Sequence, residues 1–224
     1  MKNAAEYAKR FKKFVRKLPS IEVTANEDGV IGEVIYSHLL WNANAKQARA
    51  AYKKMMSAAV DLNDLRMNQV FEIIELVGVN YPRVEERAKR LRTVINAIYL
   101  REHDVKVESL AGAGKRDVRE YFETLNGITP FVCNRVIALC YEVSAMPIDE
   151  RTIDAMISNE LLHEDVTVSD AASWLTQQVR ADDVCEVHAS LHAWVETQQD
   201  RASIKSVKKK AVKKKVAKKN TKKQ

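Results

Sequence analysis

The stretch from Tyr121 to Asp149, YFETLNGITPFVCNRVIALCYEVSAMPID, constrains this chain more than any other. Two runs with helical apolar spacing flank the turn Asn126-Gly127-Ile128-Thr129-Pro130, and a loop then ends at a carboxylate, Asp149. Phe122 and Leu125 stand three apart, as one helix face requires. Asn126 and Gly127 break that helix, because glycine tolerates positive φ and asparagine is the next best residue there. Thr129 can cap the following helix, and Pro130 suits its first turn, where no amide donor is missed. Val132, Cys133, Val136, Ile137 and Cys140 form the next apolar stripe. The predicted product is a helical hairpin over 118–142. Its second helix begins with free N–H groups and partial positive charge, which together suit a phosphate. The same signals also describe an ordinary αα-corner that binds nothing.

The rest of the chain reads as helix. Only six Gly and four Pro occur in 224 residues, and no alternating run makes a strand, so the fold class is all-α. Helices are predicted at about 29–41, 45–59, 67–76, 83–102, 115–125, 130–142, 149–160, 168–177 and 183–199. Asn63-Asp64 and Ser109 read as cap-like openings of helices. Residues 1–17 read as a basic amphipathic helix with Tyr7, Phe11, Phe14 and Val15 on one side. Docking on the core and lying on a membrane surface are both open to such a helix.

The formal charge of +7 conceals a split. Residues 201–224 hold twelve Lys or Arg and no acid, and residues 1–17 hold seven basic residues and one acid. The remainder, 18–200, is acidic, with 18 cations against 29 acids. The terminal run, including Lys208, Lys209, Lys210, Lys213, Lys214 and Lys215, has too little apolar content to fold alone. Such a polycation is expected to track nucleic-acid phosphates, with an import signal or an acidic-lipid anchor as alternatives. No apolar run is long enough to cross a bilayer, and no signal-peptide pattern is present. Three cysteines without a C-x-x-C pair point to a reducing compartment. The expected location is intracellular: cytoplasm and nucleoid, or nucleus.

Leu125-Asn126-Gly127-Ile128-Thr129-Pro130 resembles the L-x-G-[IV]-G-P hairpin of the helix-hairpin-helix DNA glycosylases, the endonuclease III superfamily. Pro147-Ile148-Asp149 resembles the loop that ends in that family's catalytic Asp, and the 18 residues from Phe131 to Asp149 match the family's Lys-to-Asp interval. Ile35-Tyr36-Ser37-His38-Leu39-Leu40 resembles its first core helix. Val77-Gly78-Val79 with Arg87, Ala88 and Leu91 resembles a further element. The likeness spans about residues 28–197.

The resemblance implies a two-lobed fold, with the N- and C-terminal helices in one lobe, the middle helices in the other and a cleft between. It divides the chain into a basic helix and linker (1–27), a helical domain (28–200) and a polybasic tail (201–224). The partner it implies is DNA, double-stranded, bound by a monomer. On the family's pattern, Asn126 to Pro130 clamps a phosphate through main-chain N–H groups, and a monovalent cation can sit under the hairpin carbonyls. By the same likeness Asp149 stands beside the sugar of an extruded nucleotide as a monofunctional N-glycosylase acid, with Trp41, Asn42, Asn44 and Phe131 near the base pocket.

The departures narrow the chemistry. Phe131 occupies the position of the family's Schiff-base Lys, so β-lyase activity is not expected. Thr129 replaces the second glycine of the hairpin. Asn-rich Trp41-Asn42-Ala43-Asn44 stands where Gln is frequent, and Asp154 stands where an Arg often follows the acid. Only Cys185 lies beyond Asp149, which excludes a Cys-ligated iron–sulfur cluster. The alternative is a catalytically inactive DNA-binding module, or a helical protein associated with chromatin or RNA. Asp149 also fits a plain helix cap. A second candidate hairpin, Leu110 to Arg116, would put Asn134 at the acid position and is set aside. Cys185, His188 and His192 share metal-like spacing, but the apolar residues around them favour a packed helix.

Overall fold

The computed structural model describes residues 4–198, and among them every regular element is helical. The order is α1 (Ala4–Val15), α2 (Gly29–Leu40), α3 (Ala45–Ala58), α4 (Leu62–Met67), α5 (Val70–Val77), α6 (Val84–Glu102), α7 (Lys115–Glu123), α8 (Pro130–Tyr141), α9 (Glu150–Ser158) and α10 (Val168–Gln178). A 3₁₀ turn at Ala181–Asp183 leads into α11, residues 184–198. The Lys-rich tail lies outside the described residues. No described helix is long and apolar enough to cross a membrane.

Short polar side chains set most helix starts, as their competition with the backbone predicts. Asn44, Asp61, Thr129, Asp149 and Thr167 each accept an N–H from the first turn of the helix that they open. The helix predicted at about 67–76 is α5, which starts at Val70 because Gln69 is extended and forms a capping box with Glu72; the short α4 before it was not predicted, and two cap expectations fail. Asp61, rather than Asn63-Asp64, opens α4: its carboxylate takes the Asp64 N–H at 2.8 Å, and Asp64 returns a bond to the Val60 N–H at 3.2 Å. Ser109 opens no helix either. Its N–H and hydroxyl both donate to Glu102, so it staples the end of α6 to the following loop.

Two apolar cores result. The larger gathers α2, α3, α5, α6, α7 and α8 around Val34, Leu91, Phe122 and Val136. The smaller gathers α1, α9, α10 and α11 around Met146, Ile148, Met156, Leu175 and Leu191. Helix α8 serves both, with Phe131, Val132 and Val136 in the first and Ala138 in the second. This is the expected division, terminal helices in one lobe and middle helices in the other.

Of the two placements open to α1, the structure shows docking. Phe11 is 1% exposed, with its ring 6.1 Å from Trp174, and Phe14 meets Trp194 edge-on at 4.8 Å. Burying a ring of this size stabilises by about 1.5–3 kcal/mol.

Candidate nucleic-acid interface

The hairpin forms where the sequence placed it. Gly127 has φ 89°, and a Cβ there would lie 2.8 Å from the Arg90 carbonyl oxygen and 2.9 Å from Thr93 Cβ. The turn therefore rests directly on α6, and glycine is required by both conformation and space. Asn126 and Pro130 remain exposed, Ile128 is half-buried and Thr129 is buried. Thr129 caps α8, its hydroxyl accepting the Val132 N–H at 3.3 Å. Arg101 donates to the Tyr121 and Thr124 carbonyls, both at 2.7 Å, closing the end of α7. Lys115 and Arg119 donate to the Glu142 and Ser144 carbonyls, tying α7 to the loop after α8. The turn is thus held rigidly at its base while its tip faces outward. The Leu125 carbonyl already accepts the Ile128 N–H at 3.4 Å, so a cation under the turn would have to share that oxygen.

Asp149 does not face an open cleft in this conformation. It is 1% exposed and caps α9. Its Oδ1 accepts both the N–H and the hydroxyl of Thr152, at 2.9 and 2.7 Å. Its Oδ2 accepts one bond, the Asn42 N–H at 3.0 Å, from the other lobe. Asn42 reaches this point in a left-handed conformation, φ 53°, and its side chain donates to Glu150 at 2.6 Å. Arg83, also left-handed at φ 51°, joins Glu150 at 3.4 Å and Glu86 at 3.1 Å while lying 4.7 Å over the Trp41 ring. Both conformations lie in the left-handed region and are held by these bonds across the junction. Burial alone would raise the Glu150 carboxyl, but the Asn42 amide and the Arg83 guanidinium hold it below the usual range.

The four expected base-pocket residues are dispersed. Asn42 reaches the N-terminus of α9, whereas the Trp41 ring lies under Arg83, Arg87 and Arg90. Asn44 caps α3 by accepting the Lys46 and Gln47 N–H groups. Phe131 is 2% exposed and stacks edge-on against His188 at 5.7 Å. His188 bonds the Pro147 carbonyl at 2.8 Å, and His192 faces Glu196 at 3.4 Å. Burial pushes both imidazoles down, in His192 against the pull of Asp149 and Glu196. Among the described residues no group of His, Cys, Asp and Glu is placed to hold a metal.

Sequence reasoning missed Arg83, Arg87 and Thr152. Arg87 is 1% exposed and donates to the Trp41 and Pro82 carbonyls, fixing the loop that carries Asn42. Burial lowers its guanidinium to about 10. Only Thr152, at N3 of a helix opened by Asp, had a local signal that could have been used.

The two-lobed helical fold recurs in solved structures. An endonuclease III trapped as a covalent intermediate with DNA matches over 86% of this chain and 85% of its own, with TM-score 0.62 and 11% identity. The chain has the fold of the helix-hairpin-helix DNA glycosylases. A 3-methyladenine DNA glycosylase of H. pylori, MagIII, bound to 1,N6-ethenoadenine, matches over 89% of this chain and 98% of its own, with TM-score 0.58 and 13% identity. A thermostable thymine-DNA glycosylase matches over 84% and 83%, with TM-score 0.56 and 14% identity. No protein-family model and no curated protein sequence matches the chain.

Proposed function

We propose that the chain binds duplex DNA through its hairpin and acts in base excision as a monofunctional N-glycosylase, without a lyase step. The observation that supports this most is the split bonding of Asp149. Thr152 holds Oδ1 as a helix cap, whereas among the described residues the only bond to Oδ2 comes from Asn42 across the lobe junction. Parting the lobes would free Oδ2 while the cap keeps the carboxylate oriented. A carboxylate so placed stabilises positive charge developing on a sugar, and can orient the attacking water. Phe131 offers no amine for a Schiff base, so strand cleavage would not follow base release. The hairpin would hold the phosphate backbone through main-chain N–H groups at the start of α8, and the tail would add salt-sensitive attraction.

A second reading, an inactive DNA-binding module, draws on the burial of Asp149 and of Phe131. The two separate in one assay. Duplexes carrying damaged or mispaired bases are incubated with excess protein, then split with and without hot alkali. Strand breaks that require alkali support the glycosylase. Binding without alkali-sensitive sites on any lesion supports the module. Breaks without alkali contradict both.

A further inference from the structure

The exposed cations of the N-terminal helix form a surface that the hairpin and the cleft do not use. Lys9, Lys12, Lys13 and Arg16 recur at helical spacing along the side of α1 opposite Tyr7, Phe11 and Phe14, and Lys17 extends the stripe. All five are exposed, and none has a carboxylate within ion-pair distance among the described residues. Arg10 alone in this helix is neutralised, by Glu6 at 2.6 Å and Glu160 at 3.1 Å. A solvated run of unpaired cations on an otherwise acidic body concentrates polyanions.

Two features identify the partner. A helix that lies on a bilayer needs its apolar stripe free to insert. Here that stripe is packed on Trp174 and Trp194, which leaves charge alone for recognition. The second feature is position. Helix α10 contributes Ser169, Ser173 and Thr176 to a cavity of about 610 Å³ that it shares with Thr129 and Pro130 of the hairpin. The same helix carries Trp174, which packs on Phe11. The hairpin and α1 thus flank α10, about 20 Å apart at ordinary helix spacings. That is about six nucleotides of one strand. Trp194, which packs on Phe14, lies seven positions before the basic run that starts at Arg201.

We infer that the Lys9–Lys17 face of α1 is a second phosphate-binding surface for duplex DNA, engaging the backbone about half a turn from the nucleotide held by the hairpin. The inference rests on the DNA-binding reading above and extends the footprint to a surface outside the hairpin and the cleft.

The test uses the full chain with Lys12, Lys13, Arg16 and Lys17 all changed to Gln, beside a variant that keeps charge (K12R, K13R, R16K, K17R). Affinity for a 20-base-pair duplex is measured from about 50 to 200 mM salt. Loss of two or three phosphate contacts lowers the slope of log affinity on log salt by about two to three. The Gln variant should show that loss and bind about ten- to a hundred-fold more weakly at low salt. The charge-keeping variant should bind as the native chain does. An unchanged slope in the Gln variant, with DNA still bound, overturns the inference and leaves the hairpin reading standing. Absence of duplex binding by the native chain overturns both. Selective loss of binding to phosphatidylserine vesicles, with DNA affinity intact, overturns it in favour of a lipid surface.

Discussion

Glu33 and Asp149 are both 1% exposed, yet they are held in opposite ways. Glu33 has a counter-charge: Arg135 donates to it directly, with further bonds from the Ser37 hydroxyl at 2.6 Å and the Asn26 N–H at 3.1 Å. Asp149 has none within ion-pair distance among the described residues, and its three donors are neutral. An acid that serves only the fold is most readily buried beside a fixed cation. An acid whose negative charge must act on something else is better held by dipoles that leave the charge unspent, and a helix N-terminus provides them. The contrast places Glu33 in the architecture, and the proposed function gives the reaction to Asp149.

The largest expected effect is at the architectural acid. Glu33→Gln leaves the Arg135 guanidinium buried and unpaired, and should cost about 3–5 kcal/mol in chemical denaturation. A loss under about 1 kcal/mol would erase the distinction between the two acids.

Acid should destabilise the fold by a related route. Burial, with the nearby Arg87, pushes His38 down to about 4, and His188 and His192 shift the same way. These imidazoles are neutral when folded and take up protons near pH 6.5 when unfolded. Their contribution is therefore fully present above that pH and is lost as pH falls toward 4. For His38 alone the loss is on the order of 3 kcal/mol. Denaturation midpoints that stay flat from pH 7 to 4.5 would contradict this.

Gly127→Ala forces a side chain into the Arg90 carbonyl and Thr93 at positive φ, and should cost about 2 kcal/mol while lifting the hairpin off α6. Duplex affinity should fall with it. Asp149→Asn should cost least, about 1 kcal/mol, because Asn caps nearly as well and only the bond to the Asn42 N–H is lost. Comparing the Glu33 and Asp149 variants by thermal melts gives the contrast a number.

The sequence revealed what is local. The Asn126–Pro130 turn, the Thr129 and Asp149 caps and the amphipathic docking face of α1 are set by residues within a turn or two of one another. The failures at Asn63-Asp64 and Ser109 came from neighbouring acids, Asp61 and Glu102, that bind the same groups better. The junction was illegible for another reason. Asn42 meets Asp149 across 107 positions, and Arg83 reaches Glu150 across 67, so only the packed lobes bring them together. Nothing in the residues around Arg83 announces its left-handed conformation.

The most direct test of the Asp149 assignment is single-turnover base release from lesion-bearing duplexes by the native chain and by Asp149→Asn, at protein concentrations that saturate both. Release by the native chain, reduced at least about 1,000-fold in the variant while the two bind DNA equally, is the predicted result. Equal release by the two proteins would contradict it.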